Sequence, residues 1–450
     1  MSNKTEINIE YIEEISVLVK GKKSSKLINI INKLHVADIA EIIENLSLID
    51  AKYIYNLISN EEVSATVLIE LEDDTRENLL QDLTAKEIAE EVIENLESDD
   101  AADVIGELAD EKKQAVLSHI EDITHASYIS KLLEFPEDTA GGLMANELIK
   151  VNKNWNTVQC LKEMRKQAAN IKNVYTIYVV NDNDNLLGLL SLRKLLITER
   201  KTEIKNIMYS EIISVKATEK SENVAKIMQK YDLVVLPVVD ERNRLLGRIT
   251  IDDVMDVAKE EAEKDYQMAS GISEDVENLD NVWELTRARL PWLLIGMLGG
   301  VFGAKVIGIF DLENNFELAF FIPLIAAMGG NVGIQSAAIV VQGLSKNSLK
   351  MENIFHRLIK ELGVGLLNGV ICSLIIFILV FSLGYSIKLS ITVSISLLAV
   401  IIFTALFGTF IPLSLKKYNI DPALATGPFI TTINDVLGLL IYFWIGQIIL

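Results

Sequence analysis

Three kinds of hydrophobic pattern follow one another along the chain. Up to residue 136, apolar positions recur every three or four residues over short stretches, as in DIAEIIENL (38–46), EIAEEVIENL (87–96) and DAADVIGEL (100–108). That is the period of small amphipathic helices, and their weak mutual repetition predicts an all-α superhelical domain. Residues 137–257 change to short runs of Val, Ile and Leu bounded by turn residues, which predict strands. From Leu290 onward the apolar runs become long enough to cross a hydrocarbon layer of ~30 Å, which takes roughly 20 helical residues. Five spans are expected, at about 290–310, 318–341, 362–383, 391–415 and 428–449.

The strand-rich middle is an internal duplication. IYVVNDNDNLLGLLSL (177–192) and LPVVDERNRLLGRITI (236–251) align without gaps, sharing Val179/Val238, Val180/Val239, Leu186/Leu245, Leu187/Leu246 and Gly188/Gly247. Upstream of each copy, LMANELIKV and IMYSEIISV also match. Each copy reads as strand, turn, strand, helix. The pair resembles tandem CBS domains, an α/β module that regulates attached proteins and often binds an adenine nucleotide such as ATP. In the second copy, Thr250 and Asp253 match the Thr-x-x-Asp pattern that the resemblance assigns to ribose and phosphate; the first copy has Ser191 and Lys194 instead.

Charge divides the chain at the same place as hydropathy. The formal net charge of −21 splits into −23 up to Val282 and +2 beyond it. A strongly acidic front portion repels nucleic acid and anionic headgroups and attracts cations, so no nucleic-acid partner is expected. Lys and Arg flank the spans on one side only: Arg287 and Arg289 before the first, Lys346, Lys350, Arg357 and Lys360 after the second, Lys416 and Lys417 after the fourth. Basic flanks stay cytoplasmic, so a multi-pass protein of the cell membrane is expected, with its N-terminal portion cytosolic and its C-terminus outside. The N-terminus carries no secretory signal pattern. The four histidines include no H-E-x-x-H pair and none falls in a span, which argues against an intramembrane metalloprotease. Cys160 and Cys372 form no C-x-x-C motif, and no G-x-x-x-x-G-K-S/T sequence suggests nucleotide hydrolysis; no enzymatic role is expected.

An acid inside a span costs at least ~2.5–3.5 kcal/mol at the bilayer centre and is retained mainly in wet or paired surroundings. Asp435, in GPFITTINDVLGLL of the last span, is such a residue, with Thr431, Thr432 and Asn434 as nearby oxygen donors and Lys305 of the first span as an alternative ion-pair partner. In the second span, AAMGGNVGIQS places Asn331 and Gln335 one turn apart. Oxygen ligands of this kind suit hard cations, and Mg2+ sheds its water reluctantly. In the front portion, Asp99, Asp103 and Glu107 recur every four residues, where like charges repel unless a cation intervenes. Asp253, Asp256, Glu260 and Glu263 stack at helical spacing in IDDVMDVAKEEAEKDYQMAS, joined by Asp252, Glu261 and Asp265. Such stripes fit a divalent-cation sensor, or a merely solvated face. Glycines of the first and third spans, at four-residue spacings, predict close helix packing. A chain of only five spans suggests a homodimer with the path near its axis.

The whole chain resembles the MgtE magnesium transporters. The matching stretches are EDTAGGLMANELIKV (137–151), RARLPWLL (287–294), PLIAAMGGNVGIQS (323–336), KELGVGLLNG (360–369) and DPALATGPFITTINDVLGLLIYF (421–443). The resemblance implies a homodimer in which each chain has a helical sensing domain (1–136), a CBS pair (137–257), a connecting plug helix (258–283) and a five-span pore domain (284–450). It implies Mg2+ uptake that cytosolic Mg2+ shuts off. By position, Asp435 would recognise hydrated Mg2+ together with Asn331 and the Thr431 carbonyl. The sensor would comprise Asp99, Asp103, Asp253, Asp256, Glu261 and Asp265, while Lys264 stands where some relatives are acidic. A carrier of other divalent cations such as Mn2+ or Co2+, or a CBS-regulated solute carrier, is the alternative.

Overall fold

The computed structural model describes residues 7–272, 276, 282–310, 316–345, 354–418, 420–425 and 427–450. The chain forms two compact units, Met1–Lys259 and Glu260–Leu450. Lys346 and Lys350 of the basic tally lie outside the described residues, as do 273–275 and 277–281 of the connecting segment.

The first unit begins with a run of short helices: Ile9–Lys20, Ser24–Ile31, Val36–Glu44, Leu48–Tyr55, Glu61–Ile69, Asp73–Leu80, Ser98–Gly106, Asp110–His119 and Ile123–Leu132, with a short helical stretch from Ala85 to Asn95. Their starts are set by side chains that accept otherwise unpaired backbone N–H groups: Asn8, His35, Ser47, Asn60, Thr84 and Asp122. His35 with Asp38 and Thr84 with Glu87 form reciprocal capping boxes. Ile39, Ile43, Leu68, Ile88, Ile93 and Ile105 come from four helical segments and are fully or almost fully buried in one core. EIAEEVIENL is not a regular α-helix: Ile88–Val92 is a π-turn and Ile93–Asn95 a 3-10 turn. The widened turn still buries Ile88, Ala89, Val92 and Ile93, so the apolar period survives the change of backbone pitch.

Each CBS repeat is a three-stranded sheet. In the first, Ile149–Asn152 pairs parallel with Ile177–Val180, which pairs antiparallel with Leu186–Leu190. In the second, Val215–Lys216, Val235–Val239 and Leu245–Thr250 repeat the arrangement, with a register irregularity at the equivalent Val179/Val180 and Val238/Val239. The matching lead segments are exchanged between repeats: Ala145 bridges to Arg248 of the second, and Tyr209 bridges to Leu189 of the first. This accounts for the shared glycine. A Cβ on Gly188 would lie 2.7 Å from Met208 Sδ and 2.9 Å from the Tyr209 carbonyl; one on Gly247 would lie 2.6 Å from the Ala145 carbonyl. Helix Ile251–Ala269 follows the last strand and carries the acidic junction sequence.

In the second unit five helices have the length and hydropathy to cross a membrane: Val282–Ile309, Phe316–Leu344, Ile354–Ser382, Ile387–Lys417 and Pro428–Ile449. Four of them begin earlier than their apolar runs, because helix hydrogen bonding continues into polar residues that water or headgroups accommodate. The fourth is the most enclosed, and glycines let its neighbours approach it. Cβ atoms on Gly365 and Gly369 would meet Ala405 Cβ at 3.2 Å and Leu398 Cδ1 at 2.7 Å. Its own Gly408 lies against the backbone of Gly333 in the second span, where a Cβ would run into the carbonyl oxygen. Hydroxyls buried along it, those of Ser390, Thr392, Ser394 and Thr404, donate to their own helix's carbonyls. Gly299 of the first span faces Thr432 of the last, whereas nothing lies within 4 Å of a Cβ on Gly296 or Gly300.

Gly247→Ala forces a side chain against a backbone carbonyl and is expected to destabilise the CBS pair by about 1–3 kcal/mol. Thermal unfolding of the full-length protein checks this: a lowered midpoint is expected, and an unchanged one contradicts the exchanged-segment packing.

Candidate functional site

In the last span successive residues are rotated by about 100°, so polar neighbours in sequence face different partners. Thr431 and Asp435, four apart, lie beside Gly330 of the second span: a Cβ there would be 3.1 Å from Thr431 Cγ2 and 3.5 Å from Asp435 Oδ1. Thr432 faces Gly299 of the first span. Asn434 is fully buried against Gly333, and neither of its amide atoms has a hydrogen-bond partner among the described residues. The oxygen donors grouped by sequence are therefore spread over three faces, and only Thr431 shares the face of Asp435. Thr431 Oγ1 donates to the Gly427 carbonyl at 3.0 Å. Asp435 is half-buried. Lys305 is exposed and forms no ion pair with it among the described residues. Asn331, next after Gly330, and Gln335 are both exposed along the second span.

In the front unit the acidic residues split into two environments. Glu107 is neutralised by Arg76, whose Nε lies 3.0 Å from both carboxylate oxygens, so a cation is not what relieves that end of the stripe. Asp103 lies at the open edge of the stripe, yet burial of its carboxyl and then the charge of Asp100 raise its pKa to about 7, with Arg76 acting against them. Asp99 is 8% exposed, and burial first, then the charges of Asp100, Asp253, Glu147 and Glu97, push its pKa well above the usual carboxylate range. Burial with Asp253 and Glu97 raises Asp100 to about 7. Asp253 is raised too, chiefly by burial. Asp256 is exposed, and Glu261 and Asp265 lie half-buried further along helix Ile251–Ala269.

Counter-charges come from residues that no sequence pattern singled out. Arg248 Nη2 donates to Glu97 Oε2 at 2.7 Å and its Nε to the Glu147 carbonyl at 2.7 Å. The one signal was a charged residue inside an otherwise apolar strand, where the first repeat has Leu189. Glu147 Oε2 accepts from the Ser98 hydroxyl at 2.7 Å, and its Oε1 lies 3.6 Å from His125 Nδ1. Burial alone would lower the His125 pKa, but Glu147 and the Ile93 carbonyl outweigh it and raise it. Glu97 Oε1 is buried with no hydrogen-bond partner among the described residues. Among the described residues, no three Asp, Glu, His or Cys side chains are grouped closely enough to hold a metal ion directly.

Thr250 donates to Asp253 Oδ2 from both its backbone N–H, at 2.9 Å, and its hydroxyl, at 2.6 Å. The equivalent start in the first repeat is closed by the Ser191 hydroxyl accepting from the Lys194 N–H, with no carboxylate. A cleft in the CBS pair is lined by Ile149, Tyr175, Tyr178 and Arg248, with the Arg248 guanidinium 5.2 Å from the Tyr175 ring centre.

Comparison with known proteins agrees with this architecture. Residues 322–445 match a family described as divalent cation transporter, 34–138 match the MgtE intracellular N domain, and 140–199 and 204–260 match CBS domains. The magnesium transporter MgtE of Bacillus subtilis is 30% identical over 439 residues, 97% of each chain. That of Thermus thermophilus is 34% identical over 328 residues, 72% of each. A crystal structure of the cytosolic domain of the Mg2+ channel MgtE in complex with ATP aligns with 55% of this chain and 99% of its own, at a TM-score of 0.51 and 29% identity. With its helical N domain, its CBS pair and its five long apolar helices, the chain belongs to the MgtE family of magnesium transporters.

Proposed function

We propose that two copies of this chain form a Mg2+-selective uptake path through the cell membrane, shut when cytosolic Mg2+ occupies their acidic seams. In this reading residues 1–136 sense the ion, 137–257 form the CBS pair, 258–283 connect and plug, and 284–450 form the pore. The helical and CBS portions are cytosolic and the C-terminus is outside, as the basic flanks at Arg287, Arg289, Arg357, Lys360, Lys416 and Lys417 favour. Gly296 and Gly300, open on the first span, offer a close-packing face to a second copy.

Asp435 is the pore carboxylate, with Asn331 and the Thr431 carbonyl beside it. The carbonyl's second lone pair remains free after the intrahelical bond, and Mg2+ needs only a few oxygens if most of its hydration shell stays in place. The observation that carries the gating is the gathering of Asp99, Asp100, Asp253, Glu97 and Glu147 at one seam, with few counter-charges and with Glu97 Oε1 unpartnered. At an effective dielectric constant near 20, two unit charges 4 Å apart repel by about 4 kcal/mol, so a bound dication shifts the balance toward the packed seam. Asp103 and Asp256, exposed at its edges, and Glu261 and Asp265 on the connecting helix extend the sensing surface. An adenine nucleotide such as ATP binds the CBS pair, held through Thr250 and Asp253, as its presence on the related cytosolic domain supports. The alternative, a carrier of Mn2+ or Co2+, also accepts an oxygen donor set, and competition flux assays distinguish it from a Mg2+-selective path.

In proteoliposomes Asp435→Ala is expected to reduce Mg2+ influx about tenfold or more, equivalent to losing roughly 1.4 kcal/mol of cation stabilisation. Parental influx removes the pore assignment. Asp99→Ala combined with Asp256→Ala is expected to conduct at cytosolic Mg2+ that closes the parent. Closure at the same concentration refutes the sensor.

A further inference from the structure

Asn434 is the most anomalous polar residue of the membrane unit. It is fully buried in a helix of the hydrocarbon-crossing region, and both its amide nitrogen and its amide oxygen lack partners among the described residues. A neutral amide left unpaired in apolar surroundings is costly, so its retention calls for a reason. Its surroundings are tightly built. A Cβ on Gly333 would collide with Asn434 Nδ2 and lie 2.9 Å from Ile430 Cγ2, and Gly333 in turn rests against Gly408 of the fourth span. The second, fourth and last spans thus meet at two glycines, and the Asn434 amide fills the notch the missing side chains leave.

We infer that Asn434 is a positioning residue: seated in the notch at Gly333, it fixes the rotation of the last span so that Asp435 and Thr431 face the ion path. The two polar neighbours compete for one inward position. Turning the helix by one residue, about 100°, would bring the carboxylate to the notch in place of the amide. Burying a carboxylate costs far more than burying an amide, so the sequence Asn-Asp admits only the setting in which the amide goes in. The same setting brings Gly330 to within 3.5 Å, measured from an ideal Cβ, of Asp435 Oδ1. The notch acts by shape, because the amide makes no hydrogen bond there among the described residues. This inference rests on the reading of Asp435 as the pore carboxylate.

Four variants test it. Gly333→Ala fills the notch and is expected to lower Mg2+ influx about tenfold and to change the Mg2+ to Mn2+ flux ratio; adding Asn434→Ala empties the notch again and restores both to within about threefold. Asn434→Leu, similar in shape but apolar, keeps the setting and transports with parental selectivity, whereas Asn434→Ala alone broadens selectivity. Helix rotation is read without transport by placing Asp435→Cys in a chain with Cys160→Ser and Cys372→Ser and labelling it with a water-soluble thiol reagent; Gly333→Ala is expected to suppress that labelling. Influx lost in Asn434→Leu as completely as in Asp435→Ala, or labelling unchanged by Gly333→Ala, overturns the inference. Parental influx in Asp435→Ala with labelling still sensitive to Gly333→Ala overturns the pore reading and leaves the positioning of the helix standing.

Discussion

Electrostatic repulsion that is only partly offset governs the first unit. Helix Ser98–Gly106 places Asp99 and Asp100 near Asp253 of the second CBS repeat, and burial first, then the charges of Asp253 and Glu97, raise the cost of ionising both. Arg248 and His125 answer some of that charge, through Glu97 and Glu147. The seam is therefore held by apolar packing and a few charge-assisted bonds while its carboxylates oppose it. In the proposed gating a dication tips this balance, since small differences in binding free energy move a two-state population steeply. A fully neutralised seam would be stable and insensitive.

The membrane unit is organised by backbone proximity in place of charge. Between apolar helices in lipid there is no hydrophobic driving force, so close van der Waals contact and hydrogen bonds decide packing. Gly329, Gly333, Gly365, Gly369 and Gly408 sit where a Cβ would crowd a neighbouring helix. That packing fixes which face of the last span looks inward. The charge-bearing residue, Asp435, is thereby kept on a half-open face beside Gly330.

Much of the architecture was legible because it depends on local periodicity and repetition. Five apolar runs gave five helices, and the gapless match of residues 177–192 with 236–251 gave two equivalent sheets. What stayed hidden depends on partners distant in sequence. Arg76 neutralises Glu107 from 31 positions away, which removes Glu107 from the stripe that spacing alone shares out with Asp99. The exchange of lead segments between repeats follows from no pattern, although the matched Gly188 and Gly247 marked where a backbone would approach. Thr431, Thr432, Asn434 and Asp435 read along the chain as one oxygen-rich group; helical rotation separates them. The π-turn at Ile88–Val92 left the apolar period intact and so gave no sign of itself.

In the proposed gating, a hydrated dication takes the place of protons and separation in relieving the crowded seam. Asp100 ionises near pH 7 in the packed seam against an ordinary value of 3.8, so packing is most favourable at acid pH and weakens as pH rises toward about 7. Mg2+ favours the ionised form, and its binding must displace the protons still held. The direct measurement is proton release from the full-length protein in weak buffer on adding Mg2+. Release is expected near pH 6.5 and should be much smaller at about pH 8.5, where Asp100 is already ionised. No release at the lower pH, or equal release at both, contradicts the account.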